Sequence, residues 1–398
     1  MAKSVSILLG AGFSAPMGYP VGNALNDKLV GCQGTEFGFS DAGTLCIDSR
    51  TSGRPEQRSS YDKEYDLCLA LIKHYNETNG GFDYEEFYDY IHTITEDDTE
   101  VQKVAKPFIS EEYGPDLRQL IYRLDNIYVQ IVSFYLKDRN GKSWYQDAAH
   151  LGKGLPVGYN GILSCIEQWK NSGIVNVHTL NHDLFFERLS ITDWLSYEVC
   201  DGFQEEGSDY YAYLGANGGR YRVRLPYYSG EYKKKVRLYK LHGSKDYAIY
   251  HGSQGALHTP EVYVKTKYGI GFSEFFKEKL GEDGKPFYES FPFSYHSDFL
   301  TGKTAKIKRY REQLLYKKLM THFKVNLEEA EQLVIIGYGA QDTEINRMLL
   351  AHFDHENKPS FIIDPYAGDA VKQLQKDLGA TLIKTELENV KIEELTNS

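Results

Sequence analysis

The chain has 398 residues with 56 acidic and 45 basic side chains, a formal net charge of −11, and 41% hydrophobic and 14% aromatic residues, Tyr alone supplying 32. That length and apolar content fit two domains or one large domain with insertions and exclude a disordered chain. The acid excess argues against a surface whose main work is neutralising phosphates, so nucleic acid by itself is not an expected partner. The longest apolar runs, Val5–Gly10 and Leu333–Gly337, are far too short to cross a bilayer, and Ser4–Leu9 runs straight into glycines rather than into a leader cleavage site. A cytoplasmic protein is expected. Cys32, Cys46, Cys68, Cys165 and Cys200 are odd in number and widely spaced, which predicts free thiols rather than a disulfide scaffold or paired zinc knuckles.

In chain order, Val5–Leu9, Ile174–Thr179, Val236–Leu241, Gln332–Ile336 and Ser360–Ile363 read as strands. Their nearly continuous apolar character predicts strands covered on both faces, hence an α/β, doubly wound (Rossmann-like) parallel sheet. About 160 residues separate the first two strands, too many for one crossover, so an insertion is required. Tyr84–Thr93, Leu117–Leu136 and Gly161–Trp169 repeat apolar residues at three- and four-residue spacing, so that insertion is read as mainly helical. Gly31–Ser60 is rich in Gly, Ser, Thr and Asp and is expected to be a mobile loop able to act as a lid. A second, irregular insertion with hairpins is expected from Ala248 to Lys306, where Gly269–Phe275 and Phe287–Tyr295 mix glycine, proline and aromatics. The basic cluster Lys303–Lys318 reads as the solvated face of a helix leading into Leu319–Ala330. The expected division is a nucleotide-binding domain from residues 1–30, 160–247 and 307–398, a helical insertion at 31–159 and the second insertion at 248–306.

Chemistry concentrates at the strand ends. Gly10-Ala11-Gly12-Phe13-Ser14 follows the first strand and leads through Pro16 and Gly18 to Pro20, and glycines there let backbone N–H groups approach a pyrophosphate at a helix N-terminus. The third glycine falls six positions after Gly12, so an ordinary dehydrogenase fingerprint is disfavoured. Asn181 and Asp183 follow the strand ending at Thr179. Either is a ligand-facing residue or, for Asp183, a helix N-cap and, for Asn181, a turn residue. His242, after Leu241 and before Gly243, is a catalyst or a structural strand-end residue. Gly337 and Gly339 form a late glycine turn with Asp342 placed to cap a helix, and Asp364 ends the next strand where it could accept from a ribose hydroxyl.

Together the Gly-Ala-Gly-x-Ser turn, Asn-x-Asp, the strand-end histidine and the late glycine turn resemble the sirtuin superfamily in order, type and rough spacing across Val5–Pro365. The forms Gly-x-Pro, Leu-His-Gly-Ser and Gly-Tyr-Gly-x-x-Asp-x-x-Ile-Asn look most like the bacterial sirtuin-like domains of anti-phage defence systems. What the resemblance implies is NAD⁺ as substrate, contacted by Gly10, Ala11, Gly12, Ser14, Pro20, Gly337, Gly339, Asp342 and Asp364. Asn181 and His242 would be the catalytic pair, with Asp183 in support. Homo-oligomerisation and a separate partner such as a HerA-type ATPase or another defence protein are further implications. Two departures matter. Pro20 is followed by Val21-Gly22-Asn23 where deacylating members have Asp-Phe-Arg, and no cysteine follows Cys200, so the four-cysteine zinc module is missing and no metal is expected. Acyl-lysine peptides are then a poor substrate expectation and hydrolysis of NAD⁺ to nicotinamide and ADP-ribose the better one. The alternatives are a deacylase or ADP-ribosyltransferase, and a non-catalytic NAD or ADP-ribose sensor.

Overall fold

A computed structural model describes residues 3–34, 38–39, 45–46, 60–109, 116–141, 158–216, 219–254, 257–290 and 296–396. Its frame is a seven-stranded sheet, every neighbouring pair parallel. Its strands are β1 (Lys3–Leu9), β2 (Gly173–Thr179), β3 (Val199–Cys200), β4 (Val236–Lys240), β5 (Gln332–Ile336), β6 (Ser360–Ile363) and β7 (Thr381–Ile383). Their spatial order is β7-β6-β5-β1-β2-β4-β3.

The apolar runs are continuous because both faces are covered. Leu8, Leu333, Ile335 and Ile362 face one core, packed by α9 (Tyr316–Glu329), α10 (Thr343–His352) and α11 (Asp369–Leu378). Ile7, Leu9, Val175, Val177, Val334 and Ile336 face a second, packed by α6 (Asn160–Ser172) and α7 (Phe185–Leu189). Ser4 and Ser6 interrupt the apolar run of β1, and their hydroxyls donate at 2.9 Å to the carbonyls of Glu329 and Asn326 at the end of α9.

His178, in β2, is the exception. It is fully buried, stacked on Tyr239 at 4.9 Å, and neither ring nitrogen has a hydrogen-bond partner among the described residues. Burial pushes its pKa from 6.5 down to about 3. Between those values the unfolded chain binds a proton that the native chain refuses, so stability falls as pH drops through that window. By this linkage His178 costs about 2 kcal/mol at pH 5 relative to neutral pH. His178→Phe is expected to raise the melting temperature and to flatten its decline between pH 7 and pH 5. A thermal melt series checks this, and an unchanged slope would show that His178 does not contribute.

The segment between β1 and β2 is mainly helical where described, with α1 (Gly22–Gly31), α2 (Ser60–Asn79), α3 (Tyr84–Ile91), α4 (Thr99–Ala105) and α5 (Leu117–Tyr135), and it also carries a short antiparallel pair, Gly38–Phe39 with Leu45–Cys46. These enclose a core of their own, with Leu67, Leu71, Phe87, Leu124 and Tyr128 fully enclosed. Most of Gly31–Ser60, and with it the expected lid, lies outside the described residues.

The second insertion differs from the expectation in extent and regularity. It forms two antiparallel four-stranded sheets, one from Gly202–Gln204, Tyr227–Glu231, Tyr247–Gln254 and Leu257–Lys265, the other from Tyr210–Ala216, Gly219–Arg224, Phe275–Leu280 and Pro286–Ser290. Strands from 202–231 and from 247–290 share these sheets, so β4 threads between two halves of one unit that begins well before residue 248.

Candidate functional site

The chain leaves β1 to make β2, then later crosses to β5 on the other side of β1. The carboxyl ends of β1 and β5 therefore flank a topological switch point, where open parallel sheets form their ligand crevice. Two glycine turns interlock there. The Gly10 N–H donates to the Ile336 carbonyl at 3.0 Å and the Gly12 N–H to the Gly337 carbonyl at 2.9 Å. A Cβ on Gly10 would stand 2.6 Å from the Gly337 carbonyl oxygen, and one on Gly12 would stand 2.8 Å from the Gly337 Cα. These glycines are required by the close approach of two backbones to one another.

The expected helix directly after Gly12 is absent. Two 3₁₀ turns, Ala11–Phe13 and Ala15–Met17, take its place, and α1 begins only at Gly22. With Gly12 pinned to Gly337 and Pro16 lacking an N–H, the α-helical ladder cannot start there. The Ala11 and Gly339 positions are exposed at the crevice turns, and Pro20 is half-buried on the approach to α1.

Asn181 ties β2 to the first turn. Its Nδ2 donates to the Gly10 carbonyl at 3.0 Å and to the Ser14 hydroxyl at 3.1 Å, while its own N–H donates to Thr179 Oγ1 at 3.1 Å. Gly10, Ser14 and Asn181 are thus brought into direct contact, and the Asn181 Oδ1 accepts no hydrogen bond from the described residues. Asp183 forms an Asx turn: its buried carboxylate accepts the Phe185 N–H at 2.9 Å where α7 starts, the N-cap position itself being Leu184. The Lys240 ammonium donates to the Asp183 carbonyl and pairs with Glu187 at 3.1 Å. Arg188, also on α7, bonds Tyr19 and Asp138 at 3.0 Å each, locking the far end of the helical insertion to the floor of the site.

His242 follows β4 and joins a buried cluster that sequence reading did not assemble. Its Nε2 lies 2.8 Å from the Tyr310 hydroxyl and 3.6 Å from Asp342 Oδ2. The Tyr310 hydroxyl donates to Asp342 Oδ2 at 3.3 Å. Lys306 Nζ stands 3.1 Å from both Asp342 Oδ2 and Glu85 Oε1. Tyr310 and Lys306 come from the segment containing α8 (Ala305–Arg309), which the Asp89 carboxylate holds by accepting the N–H groups of Lys303, Thr304 and Ala305. The reading of Lys303–Lys318 as a solvated face is corrected at Lys306, which is only 6% exposed. The carboxylates of Glu85 on α3 and of Asp342 turn that lysine inward.

Asp342 also fills the capping role read from the sequence, accepting from the Glu344 and Ile345 N–H groups at 3.1 Å each. Burial opposes its ionisation, but the neighbouring His242 ring, the Lys306 ammonium and the Ile345 N–H outweigh it and hold its carboxyl below the usual range. Burial and the Lys306 charge hold His242 well below the ordinary imidazole range, with Asp342 opposing, so the ring is neutral at pH 7. Burial alone would discharge Lys306, yet Glu85 and Asp342 keep its ammonium above the ordinary range.

His182 is a second histidine absent from the sequence-based set, although it lies between Asn181 and Asp183. It stacks on Phe299 at 4.4 Å, its ring 6.2 Å from that of His242, and burial keeps it neutral. Asp364 stands apart, half-buried at the end of β6, and its Oδ1 accepts the Tyr366 N–H at 2.8 Å beside the exposed Tyr366 ring. Among the described residues, no group of three or more His, Cys, Asp or Glu side chains could hold a metal, and no helix is long and apolar enough to cross a membrane.

No protein-family model and no curated protein matches the chain. Two solved structures are similar to it at a TM-score of 0.32 and 10% identity, each over 99% of this chain. One, matched over 92% of its own length, is described as "Structural Basis for the Mechanism and Regulation of Sir2 Enzymes"; the other, matched over 88%, as a Sir2 homolog–NAD complex.

Proposed function

We propose that the chain cleaves the nicotinamide–ribose bond of NAD⁺ by hydrolysis, giving nicotinamide and ADP-ribose. The observation that carries this reading is the convergence of Asn181, bonded to Gly10 and Ser14, and the neutral His242 at neighbouring strand ends beside the glycine crevice. Breaking the glycosidic bond sends its electron pair to the pyridinium ring, so nicotinamide leaves neutral and needs no general acid. The site has to hold the ribose, tolerate an oxocarbenium-like centre and deliver water. A neutral imidazole can take the proton of the attacking water, and the free Oδ1 of Asn181 can orient that water or a ribose hydroxyl. Asp183 supports the turn that carries Asn181. Within the Gly10–Ser14 turn the N–H groups of Gly10, Gly12, Phe13 and Ser14 already donate to carbonyls of the chain, so the exposed Ala11 N–H would meet the pyrophosphate, with Gly337, Gly339 and Pro20 at the rim and Asp364 at the adenosine ribose. Asp342 acts through His242 in this scheme and not on the nucleotide.

The motif forms shared with anti-phage sirtuin-like domains support a role as a defence effector that depletes NAD⁺, working as a homo-oligomer with a HerA-type ATPase or another defence protein. Incubation of the purified protein with NAD⁺, alone and with such an ATPase, with nicotinamide followed by chromatography, tests the chemistry. Release without an acceptor supports hydrolysis. Release only with an acyl-lysine peptide or another acceptor would make the chain a transferase or deacylase, and binding without release would make it a sensor.

A further inference from the structure

Among the described residues, Tyr310 is the one hydroxyl placed between the strand-end histidine and a carboxylate, 2.8 Å from His242 Nε2 and 3.3 Å from Asp342 Oδ2. A phenol has a single hydrogen to give. Asp342 is ionised and imidazole is neutral, and a charged acceptor forms the stronger hydrogen bond. The Tyr310 hydrogen therefore points to Asp342, and its oxygen faces His242 as an acceptor. His242 Nε2 must then be the donor, which puts the ring hydrogen on Nε2 and leaves Nδ1 with a free lone pair. The described residues offer Nδ1 no hydrogen-bond partner, and it is not among the enclosed, unpartnered polar atoms of the interior.

We infer that Tyr310 is a positioning residue that fixes His242 in the Nε2–H tautomer, so that Nδ1 is the nitrogen that takes the proton from water. The inference rests on the proposed role of His242 as the base. As water attacks, one of its O–H bonds breaks and an Nδ1–H bond forms; the imidazolium keeps its Nε2–H bond to Tyr310, and Tyr310 keeps its bond to Asp342. No proton leaves Tyr310. The Nδ1 proton returns to solvent after product release.

The charges around the ring oppose one another, Lys306 disfavouring an imidazolium and Asp342 favouring it. The groups facing His242 are Tyr310 and Lys306 from the α8 segment, Asp342 from the cap of α10 and His182 from the turn after β2, with Glu85 of α3 behind Lys306. Two carboxylates, Asp342 and Glu85, share one ammonium, Lys306. With His242 and His182 neutral the cluster holds one excess negative charge, and an imidazolium at His242 cancels it.

The test uses the full chain with ¹⁵N-labelled histidine. Loss of one signal in His242→Gln identifies the ring among the 12 histidines. The neutral wild-type ring is expected to show the Nε2–H tautomer, and Tyr310→Phe to shift it toward a mixture with Nδ1–H. In parallel, Tyr310→Phe is expected to lower kcat for nicotinamide release roughly 10- to 100-fold, the scale for removing a histidine's outer partner, with KM changed less than about twofold. An Nδ1–H tautomer in the wild type overturns the inference even if the variant does not fold. So does a Tyr310→Phe variant with an unchanged tautomer, or with kcat unchanged or raised. Absence of nicotinamide release from the wild type would overturn the hydrolase reading instead, and the tautomer measurement would still decide the hydrogen-bond chain.

Discussion

Replacing His242 by Ala or Gln is expected to lower nicotinamide release roughly 10²–10⁴-fold, the usual contribution of a positioned general base. The loss belongs to water activation alone, because the leaving group departs neutral. It should therefore appear in kcat at saturating NAD⁺, with binding largely kept. His242 is buried at the end of β4 and its Nε2 meets Tyr310, so Gln is the gentler variant; unchanged near-ultraviolet circular dichroism would certify the fold. Wild-type activity should also persist on the acid side. Burial and the Lys306 charge keep the imidazole neutral below its ordinary pKa of about 6.5, so the base is lost only as pH falls through that lowered value. The acid limb of the rate profile should lie below pH 6.5. A wild-type rate retained in His242→Gln would return this residue to a structural role.

The second large effect is expected at Gly337. Its φ is +58°, and a Cβ there would stand 2.5 Å from both the Gly12 carbonyl carbon and the Phe13 nitrogen. Both clashes are with backbone, so no side chain can swing aside. Adding roughly 1–2 kcal/mol for the left-handed conformation to roughly 1–3 kcal/mol for overpacking, Gly337→Ala should cost about 3 kcal/mol or more and spread the crevice. Gly339 is the matched control. A Cβ on Gly339 meets only the Gln341 Cγ, at 4.0 Å, and Gly339→Ala should be nearly neutral in stability. Urea unfolding of both variants, with NAD⁺ titrations, checks the contrast. Equal stability of the two would mean that the turns are not locked together.

The sheet was readable because each of its long strands is an apolar run bounded by glycine or a polar residue, and Val5–Leu9, Gln332–Ile336 and Ser360–Ile363 all fall within observed strands. Capping was readable at Asp342, which precedes an apolar helical run and accepts the first N–H groups, while Asp183 stands one position before the cap of α7 and accepts only the Phe185 N–H. The helix expected after Gly12 failed because its geometry depends on a backbone more than three hundred residues later. Lys306 and Tyr310 were hidden for a related reason. A lysine in a basic stretch is ordinarily solvated, and nothing in the local spacing announces Glu85, 221 positions upstream, or His242, 68 positions upstream. His182 was the missed residue with the clearest signal, an imidazole flanked directly by two polar candidates at a strand end.

The position of β1 has a consequence for synthesis. This first strand is central, and its polar Ser6 is satisfied only by Asn326, 320 positions further along the chain. At about 5–20 residues per second, a ribosome needs roughly 16–64 s to bridge that gap. During that interval the nascent β1 has an open edge toward β5, Gly12 has no Gly337 to meet, and the crevice does not exist. High contact order of this kind slows folding. It also means that a product truncated before β5 never has this cleft, so whatever the cleft does begins only once the chain is almost complete.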